Sequence, residues 1–211
     1  ALRGEIISMD SRQVYRGMDI GTAKASPDDR AAVPHHGLDL VDPDERYSAG
    51  QVARDARRWT AEIRTRGHVP LLVGGTGFFL RALMDPIFAE PELDRSRVAR
   101  LRGYLGRQPR GRLEAWVRRL DPERASLAAE GGPQRLSRTL EVALLSGRPL
   151  SGWHREAPPD GEGLRGVVVC LELSRDELDR RSAARARRMV ESGLFEEVRG
   201  LLARGYGPGA P

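Results

Sequence analysis

The chain has 211 residues, 39% hydrophobic and 31% charged, with a formal net charge of +5. That size allows one ordinary domain with a real core, or a domain plus a small insertion, and the mixture excludes a disordered chain. No apolar run approaches membrane-spanning length, no secretory signal is visible, and the single cysteine, Cys170, excludes a disulfide framework and a cysteine-ligated zinc site.

The cytoplasm is the default compartment. Lys24 is the only lysine, so the positive charge is almost all arginine. Arginine favours planar, bidentate contacts to phosphate, and a basic chain suggests an anionic partner. A GC-rich genome writes the same composition, so charge alone leaves both explanations open. Neither end reads as a natural terminus: Ala1 is not an initiator methionine, and Gly207 to Pro211 reads as loop.

In chain order, Ile6 to Met9 is an apolar run of strand length that stops at Asp10-Ser11-Arg12-Gln13. An acid where a buried strand ends is the usual place for a site residue in an open α/β sheet, and it equally suits capping the next turn. Residues 25–44 are loop-rich and carry the pair His35-His36. Adjacent histidines make a poor metal pair without a third ligand, so a structural role, or a loop contact to the active site, is expected for them and no metal site is assigned. Ser48 reads as the N-cap of a helix from Ala49 to Arg66, with Val52, Ala53, Ala56, Trp59 and Ile63 at helical spacing and Gly67 as its stop. Val69 to Val73 is a second strand that runs into Gly74-Gly75-Thr76-Gly77 and a helix from Phe78 to Met84. Strand, glycines, hydroxyl and helix together form an anion-binding arrangement, because glycine lets the backbone approach closely and the helix start offers free N–H groups.

Residues 94–145 read as helical and very basic, with Gln134-Arg135-Leu136-Ser137-Arg138 opening a helix that continues through Leu145. Such a face suits an RNA backbone, or is simply solvated. Residues 147–166 read as a Gly/Pro-rich loop. Val167 to Leu173 predicts a third, central parallel strand, with Cys170 buried in it. Ser174 caps a helix to Ser192 on which Arg181, Arg185 and Arg188 share one face, and a last amphipathic helix carries Leu194, Val198, Leu201 and Leu202.

Taken together, Asp10-Ser-Arg-Gln-Val-Tyr-Arg-Gly-Met-Asp-Ile-Gly-Thr-Ala-Lys24 closely resembles the signature of the bacterial tRNA dimethylallyltransferase (tRNA isopentenyltransferase) family. Pro34-His-His36 with Asp39, Tyr47-Ser48, Leu71-Leu-Val-Gly-Gly-Thr-Gly77, Gln134-Arg-Leu-Ser-Arg138 and Arg181-x3-Arg185-x3-Met189-x3-Gly193-Leu194-x2-Glu197-Val198 follow in the family's order. The resemblance implies an α/β fold, a P-loop NTPase-like parallel sheet flanked by helices, with an all-helical insertion. It places the catalytic core at 1–93 and 146–211 and the tRNA-binding insertion at 94–145. It implies transfer of a dimethylallyl group from dimethylallyl diphosphate to N6 of adenosine 37 in tRNA, with Mg²⁺ as cofactor.

By the same resemblance Asp10 is the general base, Thr76 and Arg181 are catalytic and bind diphosphate, and Arg185 is a further diphosphate ligand. Asp10, Ser11, Arg12, Gln13, Arg97, Gln134, Arg135, Leu136, Ser137 and Arg138 would contact tRNA. The family's Gly-x4-Gly-Lys-Ser/Thr phosphate loop and its segments beyond Gly207 have no counterpart here. The expectation is therefore a truncated, cytoplasmic, monomeric member with little or no activity of its own. Two alternatives stand beside it: an adenylate isopentenyltransferase acting on free nucleotide, and a non-catalytic RNA-binding module.

Overall fold

The computed structural model describes residues 3–86, 88 and 91–207. The chain divides into two compact units, residues 1–86 with 161–211, and residues 87–160.

The first unit is α/β. A parallel sheet of order β2-β1-β3 is built from β1 (Gly4–Ser8), β2 (His35–His36) and β3 (Val69–Val73). Ile7 in central β1 is fully buried, opposite His36 on one side and Leu72 on the other. Between β1 and β2 lies the short helix α1 (Pro27–Ala32), and between β2 and β3 the crossover is α2 (Ala49–Thr65). Ser48 and Gln51 form a reciprocal capping box at the start of α2, satisfying backbone donors that a helix otherwise leaves open. The buried face of α2, Val52, Ala53, Ala56, Trp59 and Ile63, packs on β3 and on α3 (Gly77–Met84), which contributes Phe79, Ala82 and Leu83.

The second unit is helical. It comprises α4 (Arg95–Leu105), α5 (Arg110–Leu120), α6 (Ala125–Glu130), α7 (Gly132–Ser146) and α8 (Leu150–Glu156). Leu105, Leu113, Val117, Ala128, Leu136 and Leu140 form its core. Glu141, also buried, accepts a bidentate pair from Arg102 at 2.7 and 2.6 Å. The loop expected over 147–166 contains α8. Its start is held by buried Asp121, which accepts from Ser151 N at 3.0 Å across 30 residues of sequence, a tertiary cap that local composition does not announce.

After residue 160 the first unit resumes and ends in α9 (Arg175–Glu191), capped by Ser174, and α10 (Leu194–Ala203). The expected third strand at 167–173 does not form. Residues 162–174 carry no regular structure, Val167 and Leu171 are 93% and 91% exposed, and Cys170 is exposed rather than buried. A strand exists only when a neighbouring backbone completes its ladder. Here β1 takes β2 and β3 as its neighbours, and the outer side of β3 is separated from 164–169 by a cavity of about 500 Å³.

One buried charge holds the sheet. Glu5, 2% exposed on β1, accepts from Arg66 at 3.0 and 2.7 Å and lies 2.7 Å from both His36 Nε2 and His68 Nδ1. It thereby ties β1 to β2 and to the turn that leads from α2 into β3. Arg66 first, then His36, outweigh the burial and hold the Glu5 carboxyl at about 2, against an ordinary 4.5. A depressed carboxylate contributes its stability above its ordinary value and loses it as pH falls toward the folded one. Urea unfolding between pH 4.5 and about 2 is therefore expected to show this loss, and Glu5→Gln to flatten it. At neutral pH the substitution removes charge-assisted bonds and costs about 2 kcal/mol.

Candidate functional site

Asp10 stands two residues past the end of β1, and the Gly74–Gly77 turn follows directly on β3. Because the strands are parallel neighbours, both turns emerge at the same sheet edge, where open α/β sheets place their ligands. The backbones stitch together there. Met9 N donates to Val73 O at 2.8 Å, Thr76 N donates to Met9 O at 3.3 Å, and Ser11 N donates to Thr76 Oγ1 at 3.2 Å. The approach is so close that a Cβ on Gly74 would sit 2.4 Å from the Met9 carbonyl oxygen. Glycine is required at 74 because a second backbone occupies the side-chain space.

Asp10 fulfils the capping reading of the sequence. Its Oδ1 accepts from Arg12 N at 2.7 Å and Gln13 N at 3.3 Å, closing the turn that carries Ser11 and Arg12. Both bonds fall on Oδ1, so Oδ2 is the oxygen left to meet a ligand. Thr76 occupies the N-cap position of α3 without capping it, and its hydroxyl accepts from Ser11 N. The hydroxyl proton is therefore available to an acceptor brought in from outside. Thr76 and Gly74 to Gly77 line the cavity of about 500 Å³ together with Met9 and residues 164–169.

The arginines of α9 do not line the cavity that Thr76 lines. Arg181 donates to Glu177 at 2.6 Å, one turn earlier on the same helix, and Glu177 also accepts from Arg180. Arg180 and then Arg181 hold the Glu177 carboxyl below the usual range. Arg185 and Arg188 line a second cavity, of about 690 Å³, with Asp19, Lys24, Arg30 and Asp39. The Lys24 side chain is 1% exposed and is neutralised by Asp19 and Asp39 at 2.6 Å each. Burial raises the Asp39 carboxyl, but Lys24 and Arg30 outweigh it and hold it below its ordinary value.

In the helical unit Gln134 and Arg135 are exposed on the first turn of α7, while Leu136 is fully buried in the helical core, so its side chain packs inward. Ser137 is half-buried, Arg138 faces Glu141 at 3.8 Å, and Arg97 is exposed near the start of α4. Residues 95–120 hold nine arginines and one acid, Glu114, which is paired with Arg110. His35 and His36 form β2, and His36 contacts Glu5, the structural use expected of the pair. Among the described residues no group of three His, Cys, Asp or Glu is placed to hold a metal ion; Mg²⁺ needs no such cluster, since it is usually bound through one or two carboxylates plus substrate phosphates. No described helix is long and apolar enough to cross a membrane.

Two contacts beside these turns leave no mark in the local sequence. Gln13 donates its side-chain amide to the carbonyls of Thr22 and Ala23 at 3.1 and 3.2 Å, and Glu197 of α10 accepts from the backbone of residues 19–21. The second joins positions 176 to 178 residues apart, a separation that no local pattern encodes.

Residues 13–211 match the family described as IPP transferase. The tRNA dimethylallyltransferase of Verminephrobacter eiseniae is 45% identical over 206 residues, covering 95% of this chain and 60% of that protein. The crystal structure of the full-length tRNA isopentenylpyrophosphate transferase of Bacillus halodurans superposes with a TM-score of 0.60 at 34% identity, over 98% of this chain and 64% of its own. A eukaryotic dimethylallyltransferase solved acting on tRNA gives a TM-score of 0.74 at 25% identity, over 95% and 50%. The chain spans about 60% of the length of the first curated relatives it matches.

Gly74→Ala is expected to cost about 1–3 kcal/mol, since overpacking forces two backbones apart. A denaturant midpoint measures this, and amide exchange at Ser11 is expected to quicken as its bond to Thr76 lengthens.

Proposed function

The chain belongs to the IPP transferase family, and on that premise we propose that it carries the chemical centre of a tRNA dimethylallyltransferase. The transferred group passes from dimethylallyl diphosphate to N6 of adenosine 37. The C–O bond to diphosphate breaks, the N6–C bond forms, and the N6 proton passes to a base. One observation carries the reading: the 3.2 Å bond from Ser11 N to Thr76 Oγ1, which fixes the Asp10 turn and the glycine turn at one end of the sheet.

In this reading Asp10 Oδ2 accepts the N6 proton. An exocyclic amine is a poor nucleophile, and a carboxylate within hydrogen-bond reach raises its electron density as the leaving group departs. Thr76 donates its hydroxyl proton to the diphosphate. Arg181, released from Glu177, and Arg185 meet the charge that develops on the leaving diphosphate. The target base must leave the anticodon-loop stack to reach Asp10. Ser11, Arg12, Gln13, Gln134, Arg135, Ser137 and Arg138 are assigned to tRNA, with Leu136 supporting that helix from the core. Arg97 lies on the basic stretch 94–145, which is assigned to the RNA backbone. The whole protein acts as a cytoplasmic monomer with a divalent metal.

The test is mass spectrometry of an anticodon stem-loop incubated with dimethylallyl diphosphate and Mg²⁺, using this chain beside a form extended to the length of its relatives. A five-carbon adduct is expected from the extended form, and Asp10→Asn in that form is expected to slow it by about 10²–10⁴-fold. No adduct from either form would leave RNA binding as the activity, and an adduct on AMP in preference to the stem-loop would move the substrate to free nucleotide.

The nine arginines over 95–120 make a separate prediction about RNA binding. Stem-loop affinity falls with salt, and the exposed Arg100→Gln and Arg119→Gln each reduce the slope of log K against log salt by about one. An unchanged slope would remove this face from the interface.

A further inference from the structure

The segment Met18 to Lys24 folds back on itself. Thr22 Oγ1 donates to Met18 O at 2.6 Å, Ala23 N donates to Ile20 O, and Lys24 N donates to Asp19 O, both at 3.0 Å. This winding turns three consecutive backbone N–H groups to one side. All three donate to a single carboxylate: Asp19 N and Ile20 N to Glu197 Oε2 at 2.7 Å each, and Gly21 N to Glu197 Oε1 at 3.0 Å. Successive amides aimed at one point form an anion-binding concavity, here filled by the protein's own side chain. The bonds are short and charge-assisted, the stronger kind. A Cβ on Gly21 would crowd this contact from the loop side, lying 3.1 Å from Leu194 Cδ1 and 3.4 Å from Glu197 Oε1.

From this turn a continuous chain of bonds leads to the candidate base. The carbonyls of Thr22 and Ala23 accept from Gln13 Nε2, Gln13 Oε1 accepts from Ser8 Oγ at 2.9 Å, and Gln13 N donates to Asp10 Oδ1 at 3.3 Å. Gln13 is thus held through both polar atoms of its side-chain amide, by the loop and by the end of β1. We infer that Glu197 is a positioning residue for Asp10: by fixing residues 19–21 it fixes Gln13, and through Gln13 it sets the turn that presents the Asp10 carboxylate. The inference rests on the proposed role of Asp10, but its physical content, coupling between α10 and the Asp10 turn, can be measured without it.

Hydrogen exchange on the full chain separates the possibilities. Glu197→Gln keeps the shape but offers an amide where three donors converge, and Glu197→Asp keeps the charge but withdraws it by one methylene. Both are expected to speed exchange at residues 19–21 by about ten- to a hundredfold, the worth of a charge-assisted bond, and to speed it at Arg12 and Gln13 as well. Arg199→Gln, an exposed change on the same helix, leaves all five amides as they were. Gly21→Ala, which crowds the contact from the loop side, reproduces the Glu197→Gln pattern and serves if that variant is unstable. Faster exchange confined to 19–21 would make Glu197 a local clasp and overturn the inference, as would no change at all. In the extended, active form Glu197→Gln is expected to lower kcat with the KM for dimethylallyl diphosphate unchanged, and a rise in KM alone would also overturn it. An Asp10→Asn form that stays fully active, with the exchange pattern as expected, would instead remove Asp10 from catalysis and leave the coupling standing.

Discussion

The meeting of two parallel strand ends at Met9 and Gly74 is the constraint on which the rest of the site depends. Two backbone–backbone bonds and one from Ser11 N to the Thr76 hydroxyl cross it, and it leaves no room for a side chain at position 74. Opening the junction would strand the donors and acceptors of these bonds, at a cost of about 1–3 kcal/mol for each that stays buried. The Asp10 turn and the glycine turn are therefore held by the sheet itself. Loops supply the chemical groups, and the strands beneath supply the precision with which those groups face one another.

Within each unit several acids are committed to fixed partners. Glu5 joins three segments of the sheet, Asp39 shares Lys24 and Arg30, Glu141 takes a fork from Arg102, and Glu197 fills a ring of amides. These carboxylates are matched by geometry that water does not replace. The exposed pairs along α9, such as Arg175 with Asp179, contribute little by comparison, since solvent screens them and long side chains lose freedom to make them. The positive charge that remains is concentrated on the helical unit, over 95–120, where a single paired acid opposes nine arginines. A surface of that sign attracts a polyanion at long range.

The amino-acid sequence by itself determined what depends on near neighbours. Ser48 with Gln51 begins α2, the apolar stripe from Val52 to Ile63 faces the core, Val69 to Val73 is a strand, and Gly74 to Gly77 turns into a helix. Asp10 and Thr76 were singled out from the ends of two apolar runs, and the family signature was legible over nearly the whole chain. Caps, periodicity and glycine turns act over a few residues, so a linear reading captures them.

Only the tertiary structure decided what depends on a distant partner. The apolar run 167–173 reads as a strand, yet it stays irregular because a cavity lies between 164–169 and the open edge of β3, so no ladder is completed. Helix α8 appears in a stretch that reads as loop because Asp121, 30 residues away, caps it. Leu136, named within a polar motif, lies in the helical core because the 3.6-residue period turns it inward. The grip of Glu197 on residues 19–21 spans 176 to 178 positions and leaves no local mark beyond a glycine at 21. Hydrogen bonds are short-ranged in space and indifferent to sequence distance, and that is why folding alone revealed them.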